Sequence, residues 1–344
     1  MNSAFSGDEQ YKEKIGVKPT AAVNYNLQGM DFGLPVDSLD NQVRWYYEGR
    51  PIGKDRQGNQ RYFTQVQDEV ILDILRTNKW LRPVYFANTV SSQSQMNLQP
   101  YFRFEGKAFR VVPQRHNNTS YGWIDASIHA NRLEKFRFRE WDNPDAYFDE
   151  NIRRMLGNYR FSVTELARKY NELGKPDSAA YWLQWGEENM PFRFNGNNIQ
   201  SIVLYAYEYA EVGDTTNAVQ LARKAEDRAL SDLTTNLDEF DNIRTKISQI
   251  QQDIKEARNN ANVKAQQRLR NRIQNIGSRR QQIGREISRS IYQLTILQRI
   301  YFISGNDQEA KDLAEEVNSV TGDRLPFPST KEENKKEVDR YPSL

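Results

Sequence analysis

Hydrophobic and polar residues alternate with a helical period along most of the second half of the chain. Apolar residues there recur three or four positions apart, which is typical of amphipathic helices. No proline lies between Pro191 and Pro326, and proline is rare inside helices because it lacks an amide hydrogen and clashes with the preceding turn. The pattern predicts a mainly α fold with long, uninterrupted helices in this region.

A motif of one large and two small residues recurs three times. The first copy lies just before this helical region, and the other two lie within it. Each copy places tyrosine, glycine and alanine at the same spacing. Glycine can end a helix in a left-handed conformation that other residues resist, and alanine lets the next helix approach closely. The motif resembles tetratricopeptide repeats, with unrelated amphipathic hairpins as the alternative. The three copies are Tyr170, Gly174 and Ala179, then Tyr209, Gly213 and Ala218, then Tyr301, Gly305 and Ala310.

The second and third copies are separated by two stretches with a different apolar spacing. Apolar residues across 237–257 follow each other at intervals of three and four, which is typical of a coiled-coil seam. An asparagine-rich turn at 259–262 precedes a second such stretch at 269–294. We therefore predict an antiparallel coiled-coil hairpin, spanning 231–290, inserted into the helical repeats.

The first third of the chain carries shorter elements, which predict a small α/β unit at 63–119. A helix is expected over 65–77, with strands at 84–87 and 108–112 and a short helical turn at 98–104 between the strands. The residues before this unit, 1–62, are polar and turn-rich and predict an irregular segment. The apolar face of the expected helix comprises Val66, Val70, Ile71, Ile74 and Leu75.

The remaining segments complete the expected organisation. A connector and the first two repeats occupy 120–230, and the third repeat occupies 291–322. The last segment, 323–344, is rich in charge and poor in apolar residues. Such a composition cannot bury enough surface to fold alone, so we predict a disordered tail.

Composition limits the classes of function. Of 344 residues, 38% are hydrophobic and 27% are charged, which suits a helical array better than one large core. The net charge of +2 favours no nucleic-acid partner. The absence of cysteine excludes disulfides, thiolate catalysis and cysteine-based zinc sites. No stretch approaches the roughly 20 apolar residues of a membrane span, and the N-terminus lacks a signal-peptide core, so residue patterns alone predict a cytoplasmic protein.

Few residues are candidates for a metal-binding, catalytic or surface-binding site. Asp125 and His129 are four apart and could share a helix face, but without a second cluster we predict no metal site and no cofactor. The acidic residues across 140–150 are read as a solvated connector rather than a carboxylate pair for glycoside hydrolysis. The basic residues across 264–289 could contact an anionic surface; the alternative is a charged coiled-coil exterior.

The groove of tetratricopeptide arrays, lined by the first helix of each repeat, supplies the candidate binding site. Carrying its positions over to the first two copies selects Arg168, Asn171, Gln200 and Tyr207. These residues predict a groove for a protein or peptide. The alternative is that they are solvated residues of a spacer.

Two segments of the first third of the chain lie outside the repeats. The first contains Trp80, Arg82, Pro83, Tyr85 and Phe86. The second contains Glu105, Gly106, Arg110 and Pro113. Together they resemble the C-terminal region of a bacterial multi-pass membrane family that is similar to protein O-mannosyltransferases of the GT-C fold.

The resemblance implies a non-catalytic domain on the periplasmic side of the inner membrane. Such a domain would position an acceptor protein, or a partner, beside a membrane-embedded catalytic half. No catalytic residue can be carried over, because those of the family lie in its membrane half. The alternative is a free-standing tetratricopeptide scaffold that binds a protein partner and has no connection with glycans.

Overall fold

The structure, a computed structural model, divides into two compact units. They are Met1–Phe138, the N-terminal unit, and Arg139–Leu344, the helical unit. The structure is 69% helical, with a small antiparallel sheet followed by a helical region, which confirms the predicted mainly α class. The described residues are 20–24, 42–47, 49–78, 82–116, 122–141, 143, 145–192, 199–260 and 262–340.

The N-terminal unit contains three antiparallel sheets, two α-helices and two short 3-10 helices (Ser92–Gln95 and Gln99–Tyr101) in its described part. Two are two-stranded sheets, formed by β1 (Thr20–Asn24) with β2 (Gln42–Tyr46) and by β3 (Arg50–Lys54) with β4 (Gln60–Phe63). The third has the order β5-β7-β6, from β5 (Tyr85–Ala87), β6 (Phe102–Glu105) and β7 (Ala108–Val111). The α-helices are α1 (Val66–Asn78) and α2 (Ala126–Leu133).

Segment 1–62 is therefore not irregular in its described part. The side chain of Asp55 closes the β3–β4 hairpin, because its Oδ1 accepts hydrogen bonds from the amides of Gln57 and Asn59, both at 2.9 Å. Strands β3 and β4 are largely solvent-exposed. They lack the alternation of apolar and polar residues by which a half-buried strand is recognised, so only their turn was visible in the sequence.

Four phenylalanines form the core on one face of the three-stranded sheet. The ring centroids of Phe86 and Phe102 lie 5.0 Å apart, those of Phe102 and Phe109 5.4 Å, and those of Phe104 and Phe109 4.9 Å. Side chains alternate across a strand, so the neighbours of these rings point to the opposite face. That face carries the polar residues of the second family-like segment.

The expected apolar face of α1 is wrong for three of its five residues, because Val66, Val70 and Ile74 are exposed. Leu75 is buried as expected, together with Leu72 and Asp68. The buried face is set by the carboxylate of Asp68, which accepts a 2.7 Å hydrogen bond from the hydroxyl of Tyr47. This anchor is distant in sequence, and hydrophobic spacing alone could not reveal it.

The helical unit consists of seven α-helices in its described part. A loop of three residues joins the two longest, α6 and α7, which pack against each other as an antiparallel pair. The helices are α3 (Glu150–Glu172), α4 (Pro176–Asn189), α5 (Ile199–Glu211), α6 (Thr215–Asn259), α7 (Val263–Ile303), α8 (Asp307–Thr321) and α9 (Lys331–Asp339).

The repeated motif lies at the corners between helices. Gly174, Gly213 and Gly305 follow the C-terminal ends of α3, α5 and α7, with φ values of +68°, +86° and +76°. These values lie in the left-handed region that favours glycine. The motif alanines are fully buried, as are Tyr209 and Tyr301, whereas Tyr170 is half-buried.

Helices α6 and α7 continue without a break from the repeated motif into the hairpin. Neither proline nor glycine interrupts 215–259, so nothing in the sequence ends the helix where the insertion was expected to begin. None of the helices in the described part of the chain has the length and apolar character needed to cross a membrane.

The predicted disorder of 323–344 is wrong for its described part. Residues 331–339 form α9, which packs on α7. The buried side chain of Asn334 donates 2.8 Å hydrogen bonds to the carbonyl of Thr295 and to Oε1 of Gln298. A polar anchor of this kind holds a helix whose own composition indicates disorder. Residues 341–344 lie outside the described part.

Candidate functional site

A pocket lies between α5 and α7, with a volume of about 230 Å³. Its base is apolar, because Val203 of α5 and Ile296 of α7 are almost completely buried. Its remaining lining is polar or amphipathic. These residues are Gln200 of α5 and Arg289, Tyr292 and Gln293 of α7.

Helical spacing explains why these side chains meet. Gln200 and Val203 are three apart on α5, and Arg289, Tyr292 and Ile296 follow at intervals of three and four on α7. Residues so spaced lie on one face of a helix. The pocket is therefore formed where one face of α5 meets one face of α7.

The pocket offers chemistry suited to an extended polypeptide. The amides of Gln200 and Gln293 can each donate and accept a hydrogen bond, as a peptide backbone requires. Tyr292 adds an aromatic surface with a polar end. The guanidinium of Arg289, which donates a 3.1 Å hydrogen bond to Glu286, adds positive charge. Pockets for whole small-molecule ligands are larger, about 300–1,000 Å³, so this one suits one or two residues of a longer chain.

The predicted groove residues of α3 make contacts with α5 instead of lining this pocket. Arg168 donates hydrogen bonds to Oε1 of Glu208, at 3.0 and 2.5 Å, and to Oε1 of Glu165, at 2.7 Å. The amide of Asn171 donates a 3.3 Å hydrogen bond to the carbonyl of Glu211. Of the four predicted groove residues, Gln200 is the one that lines the pocket.

Titratable groups cluster where α3 meets α5. Burial raises the pKa of Glu208 to about 7, against the opposing effect of Arg168. Burial and the nearby carboxylate of Glu211 raise the pKa of Tyr207 to about 12, while the charge of Arg299 on α7 acts in the opposite direction. Tyr207 thus lies within electrostatic reach of α7, further along the helix face that carries Gln200.

The second family-like segment forms a separate ionic cluster in the N-terminal unit. The buried carboxylate of Glu105 accepts hydrogen bonds from Arg103, at 2.9 and 2.6 Å, from Arg132 at 3.4 Å and from the hydroxyl of Tyr85 at 3.2 Å. Nη1 of Arg110 lies 3.9 Å from the same carboxylate. Burial and this carboxylate raise the pKa of Tyr85. The cluster links β5, β6, β7 and α2, so its role is to hold the sheet against the helix.

The other family-like residues have structural surroundings. Phe86 belongs to the aromatic core, and Pro113 is buried. Gly106 forms the β6–β7 turn with a φ of +67°, and an added Cβ would lie 3.1 Å from the ring of Phe136. Arg82 and Pro83 are exposed. Trp80 lies outside the described residues.

The two histidines have local roles. His116 stacks on Trp123 with ring centroids 4.2 Å apart, and Nδ1 of His129 lies 2.8 Å from the carbonyl of Phe104. Asp125 caps α2 by accepting a 3.0 Å hydrogen bond from the amide of Ile128. Among the described residues, no group of three or more His, Asp or Glu side chains is placed to hold a metal ion.

Part of the chain is similar to a known family. Residues 57–128 match the family model TMEM260-associated domain 2. The match contains the aromatic core and all of the Glu105 cluster except Arg132. No curated protein and no solved structure matches the chain.

Sequence reasoning missed the contribution of α7 to the pocket, although a signal was present. Gln200 stands nine residues before Tyr209, and Tyr292 stands nine residues before Tyr301. The groove positions were carried over only to the first two copies of the motif. Applying the same offset to the third copy would have selected Tyr292.

Proposed function

We propose that this chain is a non-catalytic part of a membrane glycosyltransferase-related protein and that its α5–α7 pocket binds an extended segment of a polypeptide. The polypeptide is an acceptor protein or a partner, held on the periplasmic side beside a membrane-embedded catalytic half. The observation that carries the proposal is the pocket, where two glutamine amides, a tyrosine and an arginine surround an apolar base.

The connection with glycosyl transfer rests on the N-terminal unit. The matching model is named for TMEM260, an O-mannosyltransferase-like membrane protein, and it spans the two segments that resemble that class. The connection with a polypeptide rests on pocket size and on hydrogen-bonding groups that can both donate and accept.

Peptide titration tests the proposal. Labelled serine- and threonine-rich peptides, one acidic, one neutral and one basic, are titrated with the full chain and followed by fluorescence anisotropy. We expect the acidic peptide to bind most tightly because of Arg289. Tyr292→Ala and Gln200→Ala should each weaken binding, Tyr292→Ala by about tenfold or more, as for a buried aromatic anchor.

Two exposed residues provide matched controls. Tyr181→Ala on α4 and Gln220→Ala on α6 remove the same side chains outside the pocket and should leave affinity unchanged. Failure of the unaltered chain to bind any of the peptides, or equal affinity for the pocket and control variants, would contradict the proposal. Circular dichroism checks that each variant is folded.

A cellular readout separates acceptor binding from the free-standing scaffold. If the pocket positions acceptors, the Gln200→Ala/Tyr292→Ala allele should lower the occupancy of glycosylated serine and threonine, measured by mass spectrometry. Unchanged occupancy, together with lost peptide binding, would assign the pocket to a partner without a glycan connection.

A further inference from the structure

Positive charge is concentrated in one part of the α6–α7 hairpin. Residues 244–280, here called the hairpin end, contain ten basic and two acidic residues, a net formal charge of +8. The whole chain carries +2, so the rest of it is net negative. A separation of this size within one chain produces a strong local field even when the global charge is small.

The charges of the hairpin end are only partly neutralised within the molecule. Arg279 donates a 2.7 Å hydrogen bond to Glu239, and the guanidinium of Arg280 lies over the ring of Phe240. Three other basic residues of the hairpin end are Lys264, Arg268 and Arg272. In the described part of the chain, their side-chain nitrogens have no carboxylate oxygen within 4.0 Å.

These three residues form a stripe. They are spaced four apart on α7, so they lie on one helix face, with each residue about 6 Å along the helix axis from the next. This separation is shorter than the Debye length of about 8 Å at physiological salt, so their potentials add. Lys255 and Arg258, in the last turns of α6, lie at the same end of the hairpin.

The remaining composition of the hairpin end favours a lipid surface over a single-stranded nucleic acid. No aromatic residue occurs across 241–291, whereas single strands are held by stacking on aromatic side chains. Val263, the first residue of α7, is 74% exposed and places an apolar side chain beside the basic stripe. Basic residues flanked by apolar ones are typical of segments that lie on anionic bilayers.

We propose that the hairpin end docks on a bilayer surface rich in anionic phospholipid headgroups. Attraction between the stripe and the headgroups carries the binding, and Val263 contacts the interface. The contact is reversible and sensitive to salt, because it depends on charge and not on an inserted apolar helix. The proposal is independent of the α5–α7 pocket, so it would hold whether that pocket binds an acceptor protein or another partner.

Vesicle binding of the full chain tests the proposal. Phosphatidylcholine vesicles containing about one third phosphatidylglycerol, and vesicles of phosphatidylcholine alone, are mixed with protein and sedimented. We expect binding to the anionic vesicles only, weakening steadily as salt rises from about 0.05 to 0.5 M. The test variant is Lys264→Gln/Arg268→Gln/Arg272→Gln.

The test variant should bind anionic vesicles about 100-fold more weakly. Each basic residue near such a surface contributes about fivefold, and three contributions multiply. The matched control is Arg223→Gln/Arg228→Gln/Arg324→Gln, which removes the same charge from outside the hairpin end. Those arginines are paired with Glu309, Asp232 and Asp241 at 2.8–3.0 Å.

The control should bind vesicles almost as tightly as the unaltered chain. Equal loss in both variants would show that only overall charge matters and would overturn the proposal. So would binding that ignores phosphatidylglycerol content, or binding of a DNA duplex without binding of vesicles at the same salt. Peptide affinity of the test variant, measured in parallel, should not change, so failure here is distinguishable from failure of the pocket proposal.

Discussion

Glu208 shows how a single buried residue connects packing with charge in the helical unit. Its carboxylate lies on α5, almost completely buried, and accepts hydrogen bonds from Arg168 on α3. Burial disfavours the charged form of the carboxylate because it removes the group from water. An exposed ion pair has no such desolvation cost, which the pairing with Arg168 here offsets. Stability at this junction should therefore depend on pH.

The pH dependence has a definite sign. The pKa of Glu208 is raised from 4.5 to about 7 in the folded chain. Between these values the folded state binds more protons than the unfolded state, so the free energy of unfolding falls as pH rises. The contribution is fully present below pH about 4.5 and is lost as pH rises through about 7; it amounts to about 3 kcal/mol at most.

Glu208→Gln isolates this contribution. Glutamine retains an acceptor for Arg168 but cannot titrate, so the variant should lose less stability than the unaltered chain between pH 4.5 and 7. Urea unfolding at several pH values measures the difference. Parallel stability curves for the two proteins would contradict the prediction.

At the scale of elements, local sequence signals predicted where a helix or strand lies better than which of its faces is buried. The expected helix at 65–77 is α1 (Val66–Asn78), and the expected strand at 84–87 is β5 (Tyr85–Ala87). Helical spacing and proline act within a few residues, so they are readable in the sequence. The buried face of α1 depends on Asp68 and Tyr47, which are 21 residues apart, and a local pattern cannot contain that information.

The same limit of local patterns explains why the α7 side of the pocket and helix α9 were not predicted from the sequence. Gln200 could be selected from the repeat, but the lining from α7 requires α5 and α7 to be neighbours across a long hairpin. Helix α9 is held by Asn334, whose partner Gln298 is 36 residues away. Its composition alone indicates disorder, and the tertiary hydrogen bonds override that indication.

Asn334→Ala should detach α9. The substitution removes two hydrogen bonds and leaves the buried amide of Gln298 with one acceptor group unpaired, at a cost of about 1–3 kcal/mol. Hydrogen exchange should show faster exchange of the amides across 331–339, while α5 remains protected. Lys335→Ala, an exposed neighbour, serves as the control. Equal protection of α9 in both variants would contradict the prediction.

At the scale of the whole molecule, the two units carry different kinds of information. The N-terminal unit contains the segment that matches TMEM260-associated domain 2, with a core of phenylalanines and one shared ionic cluster. The helical unit contains the pocket and the basic hairpin end. The likeness of one segment to a family model and the binding chemistry of another segment are therefore separable, and substitutions can address each alone.

The two cores should unfold as separate cooperative units. Phe104 is buried within Met1–Phe138, and Leu183 is buried within Arg139–Leu344. Phe104→Ala should lower the melting temperature of one calorimetric transition, and Leu183→Ala that of another, because each opens a cavity costing about 2–5 kcal/mol in its own core. Differential scanning calorimetry of the full chain measures both. A single transition whose melting temperature both substitutions lower by the same amount would contradict the prediction. It would show that the two cores unfold together as one cooperative unit.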